Sequence, residues 1–82
     1  MKLYHNMGPL GQPKRELRDV KRRELGSIRA MERALETEAI RIFGIKGRDW
    51  EFRQNPRGYL IPILVVCVSR SGTKTGETIT IE

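Results

Sequence analysis

Few side chains in this sequence are spaced so that they could do chemistry together. There is one cysteine, Cys67, and one histidine, His5. A structural zinc site needs four ligands of these types, so no metal centre is expected. Cys67 sits in an apolar run with no histidine near it in sequence. A buried apolar thiol of this kind is inert, and it has no partner for a disulfide. Asp49 and Glu51 lie two apart and would share one face of a strand, the spacing of a carboxylate pair for acid–base work. Arg48, Arg53 and Arg57 surround them, and ion pairing is the better reading. The run Gly72-Thr73-Lys74-Thr75-Gly76 has the composition of a phosphate loop. The phosphate-loop pattern closes on Gly-Lys-Ser/Thr and opens a helix, whereas here Glu77 follows Gly76 and a strand is expected next. These readings together imply a protein that is not an enzyme and uses no cofactor.

Binding chemistry is better represented. Lys and Arg total 16 against 10 acidic residues, giving a net charge of +6 and a pI near 10.1. A balance of this size favours an anionic partner such as nucleic acid. Eleven of the cations are arginine, whose planar fork grips phosphate in a bidentate way. On one continuous helix Arg15, Arg18, Arg22, Arg29 and Arg33 would fall within an arc of about 60° at 100° per residue. The candidate contacts to DNA or RNA are therefore Arg22, Arg29 and Arg33, with Arg53 and Arg57 as a second point at a hairpin turn. Trp50 and Phe52 read as core. Tyr59, beside the turn, is the aromatic expected to be exposed.

The elements that must carry these residues form one α+β domain. The expected fold is a two-layer αβββ arrangement: an amphipathic N-terminal helix packed on a three-stranded antiparallel β-meander, preceded by a flexible N-terminal arm. Residues 1–13 read as the arm or as a short edge strand, because two Gly and two Pro between Gly8 and Pro13 preclude regular structure. Residues 14–82 read as the domain. The helix spans Lys14 to Phe43, with Leu17, Val20, Ile28, Met31, Leu35, Ala39 and Ile42 on one stripe. Gly26-Ser27 interrupts it, so Ser27 to Phe43 is the better half, with Ser27 a natural N-cap and Gly44 a natural C-cap.

The meander begins with alternating Asp49 to Arg53 and turns at Asn55-Pro56-Arg57-Gly58. It returns through Tyr59 to Ser69 and ends in the alternating Thr78 to Ile81. The simplest register sets Phe52 opposite Ile61 and Trp50 opposite Ile63. Leu60, Leu64, Val66 and Val68 then point away from the helix. An apolar second face on a middle strand calls for a cover. The alternative function is accordingly a protein-interaction or assembly module, a homodimer or a subunit of a larger complex, using those four residues as the interface. Pro62 implies a kink or a locally unpaired strand. Nothing near Met1 resembles a secretion signal, and the run Tyr59 to Val68 is half the length needed to span a bilayer. The expectation is a cytoplasmic protein with no membrane partner.

Overall fold

A computed structural model describes residues 1–8, 13–44, 49–54, 61–67 and 74–82. The described residues form five strands, a 3-10 turn and one α-helix: β1 (Lys2–Asn6), β2 (Lys14–Asp19), a 3-10 turn (Arg22–Leu25), α1 (Ile28–Phe43), β3 (Asp49–Gln54), β4 (Pro62–Cys67) and β5 (Lys74–Ile81). All strand pairs are antiparallel, and the sheet order is β2-β1-β5-β4-β3. The α+β class is as expected. The sheet has five strands rather than three, because an N-terminal hairpin extends the meander.

The stretch expected to begin the helix supplies that hairpin. Lys14–Asp19 is the edge strand β2, exposed along almost its whole length. Its helical appearance rested on Leu17 and Val20. A pair of apolar residues three apart fits a strand end as well as a helix turn, and pairing with β1 decides the matter. A strand this charged suits only an edge, where it also resists pairing with another chain. β1 is not an edge: it lies between β2 and β5. Leu3 on β1 is fully buried, and Lys2 and Glu82 exchange backbone hydrogen bonds of 2.7 Å in both directions.

The expected break at Gly26-Ser27 is present. The Ser27 hydroxyl accepts from the Ala30 amide at 3.1 Å, fixing the start of α1. At the other end Gly44 takes φ 75° and ψ 169°, a combination essentially open only to glycine, and its N–H donates to the Ile40 carbonyl at 2.8 Å.

The register of the meander differs from the simplest one. Phe52 pairs with Leu64 and Trp50 with Val66, a displacement of three residues along β4. An odd displacement exchanges the two faces of a strand. Leu64 and Val66 therefore face α1, where both are fully buried in one cluster with Leu3, Leu35, Ala39, Ile79 and Ile81. They do not form an outer apolar face. The cause is the connection from Gln54 to Pro62, which is longer than a tight turn. The turn expected at Asn55 to Gly58 lies outside the described residues, as do Leu60 and Val68. Pro62 opens β4 opposite the last residue of β3, a position where a missing amide proton is tolerated. The irregularity falls at the other end of β4, where Val65 and Cys67 face Thr78 and Lys74 of β5. Gly76, with φ 88°, lies within that bulge.

The sheet face away from α1 is polar at its centre. Asn6 Nδ2 donates to the hydroxyls of Thr78 and Thr80 at 3.1 and 3.0 Å. Val65 and Cys67 are the buried apolar residues on this side.

Candidate nucleic-acid interface

The cations fall into two groups according to what their neighbours offer. Three cations of the sheet, Lys2, Lys14 and Arg53, are neutralised. Lys2 Nζ lies 2.8 Å from Glu16 Oε1, and hydrogen bonding to that carboxylate raises the Lys2 ammonium above the ordinary lysine value. Lys14 pairs with Glu82 while its ammonium sits 4.3 Å from the centre of the Tyr4 ring. Arg53 is held by Glu51 at 2.9 Å, through both Nε and Nη2. On α1, Arg41 reaches the buried Glu38 at 3.5 Å.

Between Arg15 and Arg33 the situation reverses. This stretch holds seven cations against four carboxylates. Two of the four are engaged elsewhere, Glu16 by Lys2 and Asp19 by the N-terminal ammonium at 3.4 Å. Among the described residues none of the seven cations makes an ion pair, and all seven are exposed. The elements explain the concentration. β2 is an edge strand, the 3-10 turn leaves it for the helix, and Arg29 and Arg33 lie one turn apart on the solvent side of α1. Along α1 they differ by four residues, so they sit within about 40° of each other, roughly 6 Å apart along the axis.

Two open grooves flank this part of α1. One runs between the helix and the β2-to-turn segment, with Arg18, Glu24 and Leu25 on one wall and Ala30, Arg33 and Ala34 on the other. The second runs between the helix and β3. Its one end is lined by Ile28, Phe52, Ile61 and Pro62, and its other by Arg29, Arg33 and Glu36, with Glu32 and Phe52 bordering both. Arg33 thus stands on the crest between the grooves. The Trp50 indole N–H donates to Glu36 Oε2 at 3.3 Å and ties β3 to the helix beside the second groove.

Of the residues singled out from sequence, Arg29 and Arg33 lie together on α1, exposed. Arg22 is on the 3-10 turn and does not stack with them, because the helix begins only at Ile28. Arg53 lines the second groove but is bound to Glu51. Arg57 lies outside the described residues. Of the proposed interface, Leu64 and Val66 are core. Sequence reasoning missed the position of Arg18 across a groove from Arg33. Only the pairing of β2 with β1 brings it there, and no local pattern encodes that pairing. It also missed the half-open position of Phe52. Alternation set that residue toward the helix, and the gap between β3 and the first turns of α1 leaves part of it accessible.

Among the described residues no three potential metal ligands gather, and no helix is long and apolar enough to cross a membrane. Comparison with known proteins finds no family model, no curated protein and no solved structure that matches the chain.

Proposed function

We propose that this protein is a small, basic, non-enzymatic module that binds nucleic acid through the surface formed by β2, the 3-10 turn and the exposed side of α1. The observation that carries the reading is the segregation of its cations. Among the described residues, Lys2, Lys14 and Arg53 of the sheet are matched by carboxylates, whereas the run from Arg15 to Arg33 makes no ion pair through its cations. Unmatched exposed arginines repel one another and cost stability, so their grouping on one surface favours an anionic partner. Arg18 and Arg33 on opposite walls of a groove suit a phosphate held from two sides. Phosphate contacts of this kind give affinity that is largely independent of sequence. Assembly through Leu60, Leu64, Val66 and Val68 has less support, since Leu64 and Val66 already close the protein's own core.

The test is the salt dependence of binding to mixed-sequence oligonucleotides. Each phosphate contact releases a counterion, so affinity should fall steeply with salt. The Arg29→Gln, Arg33→Gln double variant should bind unrelated sequences more weakly by similar factors. Its salt slope should be flatter by about two units, one per lost contact. Unchanged affinity and slope in a folded double variant would exclude this surface. No measurable binding by the parent protein at about 50 mM salt, where phosphate contacts are strong, would exclude the function.

A further inference from the structure

The groove between α1 and β3 changes chemistry along its length. Its first part is largely apolar, a cleft of about 300 Å³ between Ile28, Phe52, Ile61 and Pro62, rimmed by Glu32, Arg53 and Gln54. Its second part is charged, with Arg29 and Arg33 beside the same Phe52 and Glu32 and Glu36 also on its lining. Ile28 is 48% exposed, unusual for a large aliphatic residue, and the side chain it offers to solvent borders this cleft. Phe52 is half-buried, so one part of it anchors in the core while another lines the groove. Glu32 and Glu36 follow the two arginines at one-turn spacing, yet neither lies within ion-pairing distance of them, and Glu36 is held by Trp50.

A nucleotide has the same order of chemistries: a flat, largely apolar base with polar edges, then an anionic phosphate. Glu32 accepts and Gln54 both donates and accepts, as a base edge requires. In a duplex the bases are paired and stacked, and their faces are closed to such a cleft. In a single strand the base can be splayed out onto an aromatic side chain. The geometry points to single-stranded nucleic acid as the partner class, with one unstacked base seated against Phe52, Ile28 and Ile61 and its phosphate at Arg29 and Arg33. This rests on the nucleic-acid reading and narrows it.

The experiment compares three probes of equal length by fluorescence anisotropy on the full chain: a mixed-sequence single strand, its duplex, and an abasic phosphodiester strand. Single strand should bind tighter than either of the others. Trp50 is the sole tryptophan and is bonded to a groove residue, so its emission should shift with the single strand and not with the abasic one. Phe52→Leu should weaken single-strand binding by roughly 5- to 150-fold, the range spanned by one base stacked on a ring, and leave abasic binding unchanged. Should Phe52→Leu fail to fold, Ile28→Ser at the exposed start of the helix should lower single-strand affinity several-fold with the same indifference to the abasic probe. Equal affinity for all three probes, with no Trp50 response, would leave backbone binding intact and overturn the seated base. Absence of binding to every probe would overturn both readings.

Discussion

β4 and β2 belong to the same sheet and have opposite compositions. β4, Pro62–Cys67, is apolar throughout and largely buried on both faces. β2, Lys14–Asp19, is charged at every position but Leu17 and exposed almost throughout. The difference follows from place in the sheet. β4 is flanked by β3 and β5 and receives α1 on one face, so every side chain meets protein. β2 has one neighbour in the sheet, β1. In β4 the side chains create the strand's stability, whereas in β2 the backbone ladder to β1 carries Lys14, Glu16 and Asp19 in ion pairs and leaves Arg15 and Arg18 exposed without one among the described residues. The sheet's interior is thus built for the fold, and its charged edge with the adjoining turn is available for a partner.

The most severe way to probe that contrast is to place a charge on β4. Val66 is fully buried and sits among Leu64, Ile79 and the α1 residues. Burying a valine contributes about 1.5–3 kcal/mol, and an unpaired carboxylate there adds a desolvation cost of several kcal/mol. A domain of this length has a total stability of about 4–12 kcal/mol. Val66→Asp should therefore unfold the protein, seen as loss of the thermal transition. A variant that still melts cooperatively would mean that β4 is less enclosed than its packing indicates. Charge reversal on β2, by contrast, should leave the fold in place. Arg18→Glu should keep the melting temperature within a few degrees while weakening nucleic-acid binding by tenfold or more, since the new carboxylate repels phosphate and offsets the charge of Arg33 across the groove.

A finer comparison sets Arg18 against Arg53. Both are exposed arginines on edge strands, but Arg53 is already bridged to Glu51 and Arg18 has no such partner among the described residues. Arg18→Gln should reduce affinity several-fold and Arg53→Gln less than twofold. Equal losses would mean that the Glu51 pairing gives way when the partner binds.

The one acidic group inside the core gives an effect of the opposite sign. Glu38 is 1% exposed, its Oε1 lies 3.5 Å from Arg41, and its Oε2 has no hydrogen-bond partner among the described residues. A buried acceptor left unmatched costs about 1–3 kcal/mol. Glu38→Met keeps the volume and removes the charge, and it should raise stability by about 1 kcal/mol, read from the urea midpoint at constant slope. A loss of stability instead would show that the Arg41 contact or a bound water compensates for the carboxylate.

How much of this was legible in the sequence depended on whether local signals matched long-range pairing. Ser27, Gly44 and the Ile28–Phe43 stripe could be read, because caps and periodicity are local. The alternation of Trp50 with Phe52 and of Ile79 with Ile81 could also be read. Register could not, because it hinges on the length of the connection after Gln54, and the Asn55-Pro56-Arg57-Gly58 run suggested a tighter one. That single displacement turned Leu64 and Val66 from an expected interface into core. β1 and β2 were obscure because Leu17 and Val20 fit a helix, and the pairing of Leu3 with Ile81 joins opposite ends of the chain. The Arg29 and Arg33 positions were legible as exposed helix residues, whereas the approach of Arg18 to Arg33 depended on that same hidden hairpin.

No effect on binding is expected at Cys67, a residue of β4 that faces away from α1. Its side chain is 5% exposed, and among the described residues its thiol's one hydrogen-bond contact is the Val65 carbonyl at 4.0 Å. It therefore holds neither the helix nor the cationic surface. Valine is close to cysteine in size and better suited to a strand, so Cys67→Val should change stability by less than about 1.5 kcal/mol. Binding to single strands should be unaffected, because β4 separates Cys67 from the groove on the helix side. The measurement pairs a urea melt with an anisotropy titration on the same preparation. A folded Cys67→Val protein that lost affinity would place part of the contact surface on the far face of the sheet, among Val65, Thr78 and Thr80. The contrast between a closed β4 and an open β2 would then no longer locate the partner.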